Sequence, residues 1–220
     1  MSKSSRSFAV IGLGTFGRAV ALELARFGNH VIGIDLSEAA VSEVADDLSE
    51  ALILDARSED ALREAGVGDC DVAVVANASD LESSVMSAIN LRMIGVEEIW
   101  AKATTRTHHR ILSKLGVDRI VHPEDEVGRH LAQVLHNPLI RDYVNLGNGF
   151  SVVNFGVPKG MTGKSLSALR LGDRSGVRCV GVMRGTEFVG ADHIPCTLEA
   201  SDRLLLLGRR SDLRAFAGRL

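Results

Sequence analysis

Three glycines, Gly12, Gly14 and Gly17, stand at G-x-G-x-x-G spacing in FAVIGLGTFGRAVALELARFGNHVIGID, residues 8–35. An apolar run precedes them, a helix-like stretch follows, and Asp35 closes the next apolar run. This is chemistry for a dinucleotide. The first glycine permits a tight turn, the second lets phosphates approach the backbone, and the third lets helix and strand pack closely. N–H groups at the helix N-terminus then face the pyrophosphate. A carboxylate at 35 accepts ribose hydroxyls and repels a 2′-phosphate, which favours NAD or an adenosine nucleotide over NADP. The alternative is a ligand-free strand–helix turn. The strand, the helix and the acid at the expected spacing weigh against it.

Other candidates fall at the C-terminal ends of later apolar runs, where open α/β sheets bind ligands. They are Asp55 and Ala56, then Asn77 and Ala78, then Lys102. Asp55 and Asn77 suit an adenine edge or a ribose, and equally suit helix N-caps. Lys102 suits phosphate, and within the apolar run IWAKA it needs a partner. The adjacent His108 and His109 cannot chelate one metal from a helix, because neighbours face apart, and they read as helix surface and edge. His122, Glu124, Asp125 and Glu126 form a polar cluster that an acidic first helical turn explains. An oxygen-ligand cation there would need a second subunit. A dehydrogenase needs a proton-handling group beside its nicotinamide. After residue 150 no such constellation stands out, and His193 is isolated, which moves weight from enzyme to sensor.

These residues need elements to hold them. Strand-like runs at SFAVIG, HVIGID, EALIL, DVAVVA, EEIWAKA and DRIVH alternate with five helix-like stretches. Several of those stretches finish at a glycine, as at Gly28, Gly66, Gly95 and Gly116. Ser79 and Glu82 form an S-x-x-E capping box for the fourth helix. The pattern predicts α/β architecture, a Rossmann-type doubly wound parallel sheet over residues 1–122. A crossover helix from Pro123 and a connector, HNPLIRDYVNLGNG, fill 123–149. A small α+β C-terminal domain takes 150–220, with a strand at FSVVNFGVP, a short helix in MTGKSLSALRLGDRSG, a hairpin, a strand at DRLLLLG and a terminal helix.

The bulk numbers agree. The chain has 220 residues, net charge −3, 45% hydrophobic and 24% charged residues, and its charges are interspersed. That gives no electrostatic case for nucleic acid, and no helix-turn-helix is evident, so a DNA-binding redox regulator is disfavoured. No apolar run approaches the ~20 residues of a membrane span. The polar opening MSKSSRS has no signal core after it. Cys70, Cys179 and Cys196 are far apart and odd in number, which points to free thiols in a reducing cytoplasm.

FAVIGLGTFG, the acidic GID, IWAKA and above all HHRILSKLGVDRIVHPEDEVG resemble the regulatory RCK-domain subunits of bacterial Ktr and Trk potassium uptake systems. The resemblance runs through the C-terminal FSVVNF and DRLLLLG segments. It implies binding of ATP or ADP, or of NAD(H), in the cleft. The contact set would be Gly12, Gly14, Thr15, Phe16, Gly17, Asp35, Leu36, Asp55, Ala56, Ala76, Asn77, Ala78, Lys102 and Thr104. It also implies homodimers that close into an octameric ring beneath a membrane potassium-transporting subunit, at the inner face of the cell membrane. A helix crossing to the neighbouring subunit would begin at Pro123. Glu124 would help hold a Na+, Mg2+ or Ca2+ ion at the dimer interface, and some members bind cyclic di-AMP in the C-terminal domain. Ktr relatives commonly carry arginine in this loop, as GLGRFG, where it contacts the terminal phosphate of ATP; this chain has Thr15. A hydroxyl cannot replace a bidentate guanidinium. Arg18 lies a turn further on and points elsewhere, a poor substitute, which leaves Arg106 as the candidate for that role. The reading from a different class is a small NAD-dependent oxidoreductase.

Overall fold

The computed structural model describes residues 6–78, 80–171, 176–192 and 194–218. It divides into two compact units, Met1–Glu124 and Asp125–Leu220.

The first unit holds six parallel strands: β1 (Ser7–Ile11), β2 (His30–Asp35), β3 (Glu50–Ile53), β4 (Val72–Val75), β5 (Glu98–Lys102) and β6 (Arg119–Val121). Their order is β3-β2-β1-β4-β5-β6, which reverses direction beside β1, where a doubly wound sheet opens its cleft. Between them lie α1 (Thr15–Arg26), α2 (Glu38–Ser42), α3 (Glu59–Glu64), α4 (Leu81–Met93) and α5 (Arg106–Lys114). Alternate residues of each strand enter opposite cores. Ala9, Ile11, Ala73 and Val75 pack on one face, and Phe8, Val10, Val72 and Val74 on the other. That is why the strands read as unbroken apolar runs.

Most expected elements are present, with local corrections. The stretch after α2 expected as helix turns instead from Glu43 onward. The capping box at Ser79 lies outside the described residues; the cap of α4 is Asp80, whose carboxylate accepts the Glu82 N–H at 3.1 Å. Gly28, Gly66, Gly95 and Gly116 all have positive φ, the left-handed conformation that only glycine adopts cheaply.

The second unit contains most of α6 (Pro123–His136) and five antiparallel strands: β7 (Ile140–Gly147), β8 (Phe150–Gly156), β9 (Arg178–Arg184), β10 (Glu187–Gly190) and β11 (Arg203–Arg209). α7 (Arg210–Ala217) follows, and the sheet order is β10-β9-β11-β8-β7. Val153, Phe155, Val182, Leu204, Leu206, Leu213 and Phe216 form its core. The expected connector is wrong in part, since residues 140–147 form β7 and pair with β8. Irregular register near Ile140/Asp142 and Asn145/Gly147 breaks the alternation that would have exposed the strand in the sequence. Within residues 161–176, where a short helix is expected, a 3₁₀ turn spans Ser167–Leu169 and Leu171 is helical, while 172–175 lie outside the described residues.

Candidate functional site

The glycine loop is built by close backbone approach. Gly12 has φ +91°, and a Cβ there would sit 2.7 Å from the Asn77 backbone nitrogen. Gly12 N–H donates to the Ile34 carbonyl at 2.8 Å, tying the loop across to β2. A Cβ on Gly17 would fall 1.8 Å from the Gly12 carbonyl oxygen, so only glycine lets α1 lie against β1. Gly14 is different. It is exposed, and a Cβ there would meet nothing within 4 Å. Gly14 is also the N-cap of α1, with no side-chain cap, whereas Ser37, Ser58, Asp80 and Thr105 cap α2 to α5. The first N–H groups of α1, from Thr15, Phe16 and Gly17, are therefore left for another acceptor.

Asp35 is half-buried at the end of β2. One carboxylate oxygen accepts the Leu13 N–H at 2.6 Å and the other the Ser37 N–H at 2.9 Å. Each oxygen keeps a lone pair for a hydroxyl donor. A cleft of about 80 Å³ opens beside it, lined by Gly12, Asp35, Leu36, Asp55, Ala56 and Asn77 together with Ile11, Ile34, Leu54 and Ser83. Leu36 is 60% exposed at the rim, free to lie against an apolar ring.

The capping alternative fails for both Asp55 and Asn77, because Ser58 and Asp80 are the caps. Arg57 grips Asp55, with Nη2 2.7 Å and Nε 3.0 Å from the carboxylate, and this holds the Asp55 carboxyl below its usual range. Asn77 donates to Ser83 Oγ at 2.8 Å and to Ser87 Oγ at 3.4 Å. Its Oδ1 is buried with no hydrogen-bond partner among the described residues. Ser83 and Ser87 escaped the sequence reading; their i,i+4 spacing on α4 is the signal that could have revealed them.

Lys102 lies outside this cleft's lining. Its side chain is 14% exposed, and Nζ meets Glu124 Oε1 at 2.5 Å and stands 5.6 Å from the centre of the Phe16 ring. The Lys102 bond is the main reason the Glu124 carboxyl is held below its ordinary value. Two residues expected to serve different ions therefore neutralise each other. If one turns to a ligand, the other needs a counter-charge. Thr104 Oγ1 reaches the Ala78 carbonyl at 3.5 Å, and Ala76 N–H donates to Ile11 at 2.7 Å; both steady the strand ends rather than line the cleft. Arg18 pairs with Glu43, and Arg106 opens α5. Thr15 is exposed at the first turn of α1.

The histidines depart from expectation. His108 is buried, 3.0 Å from Ser84 Oγ, and burial lowers its pKa; it is a core residue and not a surface one. His109 Nδ1 lies 2.9 Å from His122 Nε2, with the rings stacked. His193 lies outside the described residues. Cys70 and Cys179 are buried, their thiols pushed up to about 11 and about 12, so both are inert as nucleophiles. Among the described residues no three His, Cys, Asp or Glu side chains converge as a metal site.

Comparison with known proteins fits this geometry. The TrkA-N domain family matches residues 8–123 and the TrkA-C domain family residues 152–220. The chain is 33% identical over 213 residues to Ktr system potassium uptake protein A of Vibrio alginolyticus, covering 97% of each chain. It is 30% identical over 215 residues to Ktr system potassium uptake protein C of Bacillus subtilis, covering 98% of this chain and 97% of that one. Among solved structures, the GsuK channel bound to NAD matches 98% of this chain and 39% of its own, with TM-score 0.66 and 13% identity, a likeness of fold.

Proposed function

The chain belongs to the TrkA family, a TrkA-N domain followed by a TrkA-C domain, and from that premise we propose that it is the nucleotide-sensing regulatory subunit of a bacterial potassium uptake system. The ligand is an adenine nucleotide, ATP or ADP, with NAD(H) as the other candidate. The observation that carries this reading is the uncapped α1 N-terminus above Gly14, beside the open lone pairs of Asp35. The N–H groups would hold phosphate, Asp35 the ribose and Asn77, which lines the cleft, the base. When bound, the nucleotide supplies charge that differs with phosphate number, and only contacts near its terminal phosphate can bias one assembly shape over another.

The chain's own residues supply the rest. Lys102 would turn from Glu124 toward phosphate, which frees the carboxylate for a Na+, Mg2+ or Ca2+ ion shared with a second subunit. The exposed apolar ridge of α6, Val127, Leu131 and Leu135, fits a helix that crosses to a partner chain. Dimers of this kind would close into an octameric ring against a membrane potassium-transporting subunit. No helix among the described residues is long and apolar enough to cross a membrane, so attachment to the inner face would run through that partner. Cyclic di-AMP remains a candidate second ligand for the C-terminal domain.

Calorimetry with ATP, ADP and NADH tests the reading. Wild type should bind at least one below millimolar concentration, and Asp35→Ala should weaken it at least tenfold. Failure of all three to bind removes the proposal. Steady NADH turnover with a carbonyl substrate would favour the oxidoreductase instead.

A further inference from the structure

The C-terminal unit carries a cavity that the nucleotide cleft does not use. It has a volume of about 580 Å³ and lies between the end of α6, the β7–β8 hairpin and α7. That is within the ~300–1,000 Å³ range of small-molecule sites. Ile140, Val153 and Leu213 give it apolar walls. Two features are not explained by folding alone. Ser151 lies on the core-facing side of β8, in line with Val153 and Phe155, and is 3% exposed. The residue lines the cavity, and its Oγ is buried just behind that wall with no hydrogen-bond partner among the described residues. A buried hydroxyl left in this state is unfavourable, so the site gains from a polar atom placed against it. Second, Arg210 and Arg214 stand one turn apart on α7, both lining the cavity, and neither has an ion pair among the described residues. Arginine elsewhere in this unit is used differently: Arg184 is bound by Asp202 and Glu199. A neighbouring cavity shares Arg210 and adds Arg129 against a single acid, Glu126, so the surround stays cationic.

We infer that this cavity binds a small organic anion, a carboxylate or phosphate on an apolar body. The two guanidiniums take the charge, the aliphatic walls take the body, and Ser151 Oγ takes a polar atom of the ligand. A carboxylate and a phosphate present the same charge-assisted acceptors, and the test separates them.

The full chain, saturated with ADP, is titrated calorimetrically with decanoate, with phenyl phosphate and with decyltrimethylammonium. The expected result is saturable binding of decanoate or phenyl phosphate, one per chain, with no binding of the cation. Arg210→Gln/Arg214→Gln should weaken it at least tenfold while melting like wild type. Ser151→Val, which fills the cavity with a branched apolar side chain, should also abolish it. The inference is overturned by an absence of saturable binding of both anions, by equal binding of the cation, or by an unchanged affinity in the arginine double variant. Because ADP is present throughout, loss of decanoate binding is read separately from loss of nucleotide binding.

Discussion

At the scale of single residues, the three loop glycines make separable contributions. Gly17→Ala drives a methyl into the Gly12 carbonyl, 1.8 Å away, and should destabilise the N-terminal unit by about 3 kcal/mol or more in urea unfolding. Gly14→Ala adds a methyl to open space, so it should melt like wild type, yet lose nucleotide affinity in calorimetry if, as proposed, phosphates approach the loop there. If both variants behave alike, the loop is a packing device only. Thr15→Arg restores a guanidinium beside the α1 N-terminus and should raise the preference for ATP over ADP by about tenfold, roughly the 1.4 kcal/mol expected of one charge-assisted contact. Asp35 and the glycines were legible because their chemistry is local in sequence. The Lys102–Glu124 pair was not, since its partners come from β5 and from the first turn of α6, 22 residues apart.

At the scale of elements, α6 and the Arg184–Asp202 pair make opposite predictions. No residue of α6 is buried, and Leu135 is 74% exposed. Leu131→Asp should leave the fold intact and shift the molecule to monomers, as measured by light scattering. Asp202 is buried at the turn before β11, and Arg184 from β9 binds both its oxygens, at 2.7 and 2.9 Å. The pair holds the Asp202 carboxyl below its ordinary 3.8. Its contribution is thus complete above pH 3.8 and fades as pH falls through the lowered native value. Asp202→Asn should cost about 2 kcal/mol at pH 7, less than the ~3–5 kcal/mol of a fully buried pair because Arg184 is partly exposed. The cost should shrink at pH 3, which unfolding at the two pH values checks. Periodicity revealed the regular elements, but β7 hid behind its bulges and α2 ran past its true end into a turn.

At the scale of the whole molecule, a regulatory subunit acts only if ligand affinity differs between two assembly shapes. Small-angle scattering of the purified protein should therefore differ between ATP and ADP, and Asp35→Ala should remove the difference. Identical profiles with both nucleotides bound would separate nucleotide binding from signalling. The family likeness extends over nearly the full chain, 97% of it against the Vibrio protein, so both halves belong to this comparison.

The sequence alone determined the doubly wound sheet, the helix from Pro123, the glycine loop and Asp35, because periodicity and turn chemistry act over a few residues. Only the tertiary structure decided that Arg57 holds Asp55, that Asn77 points an unpaired oxygen into the interior, and that His108 is core. Only it placed Ser151 and the α7 arginines around one cavity. His108 and Ser84 meet across 24 residues of sequence, and even for near neighbours such as Asp55 and Arg57 one sequence is compatible with many pairings until packing selects among them.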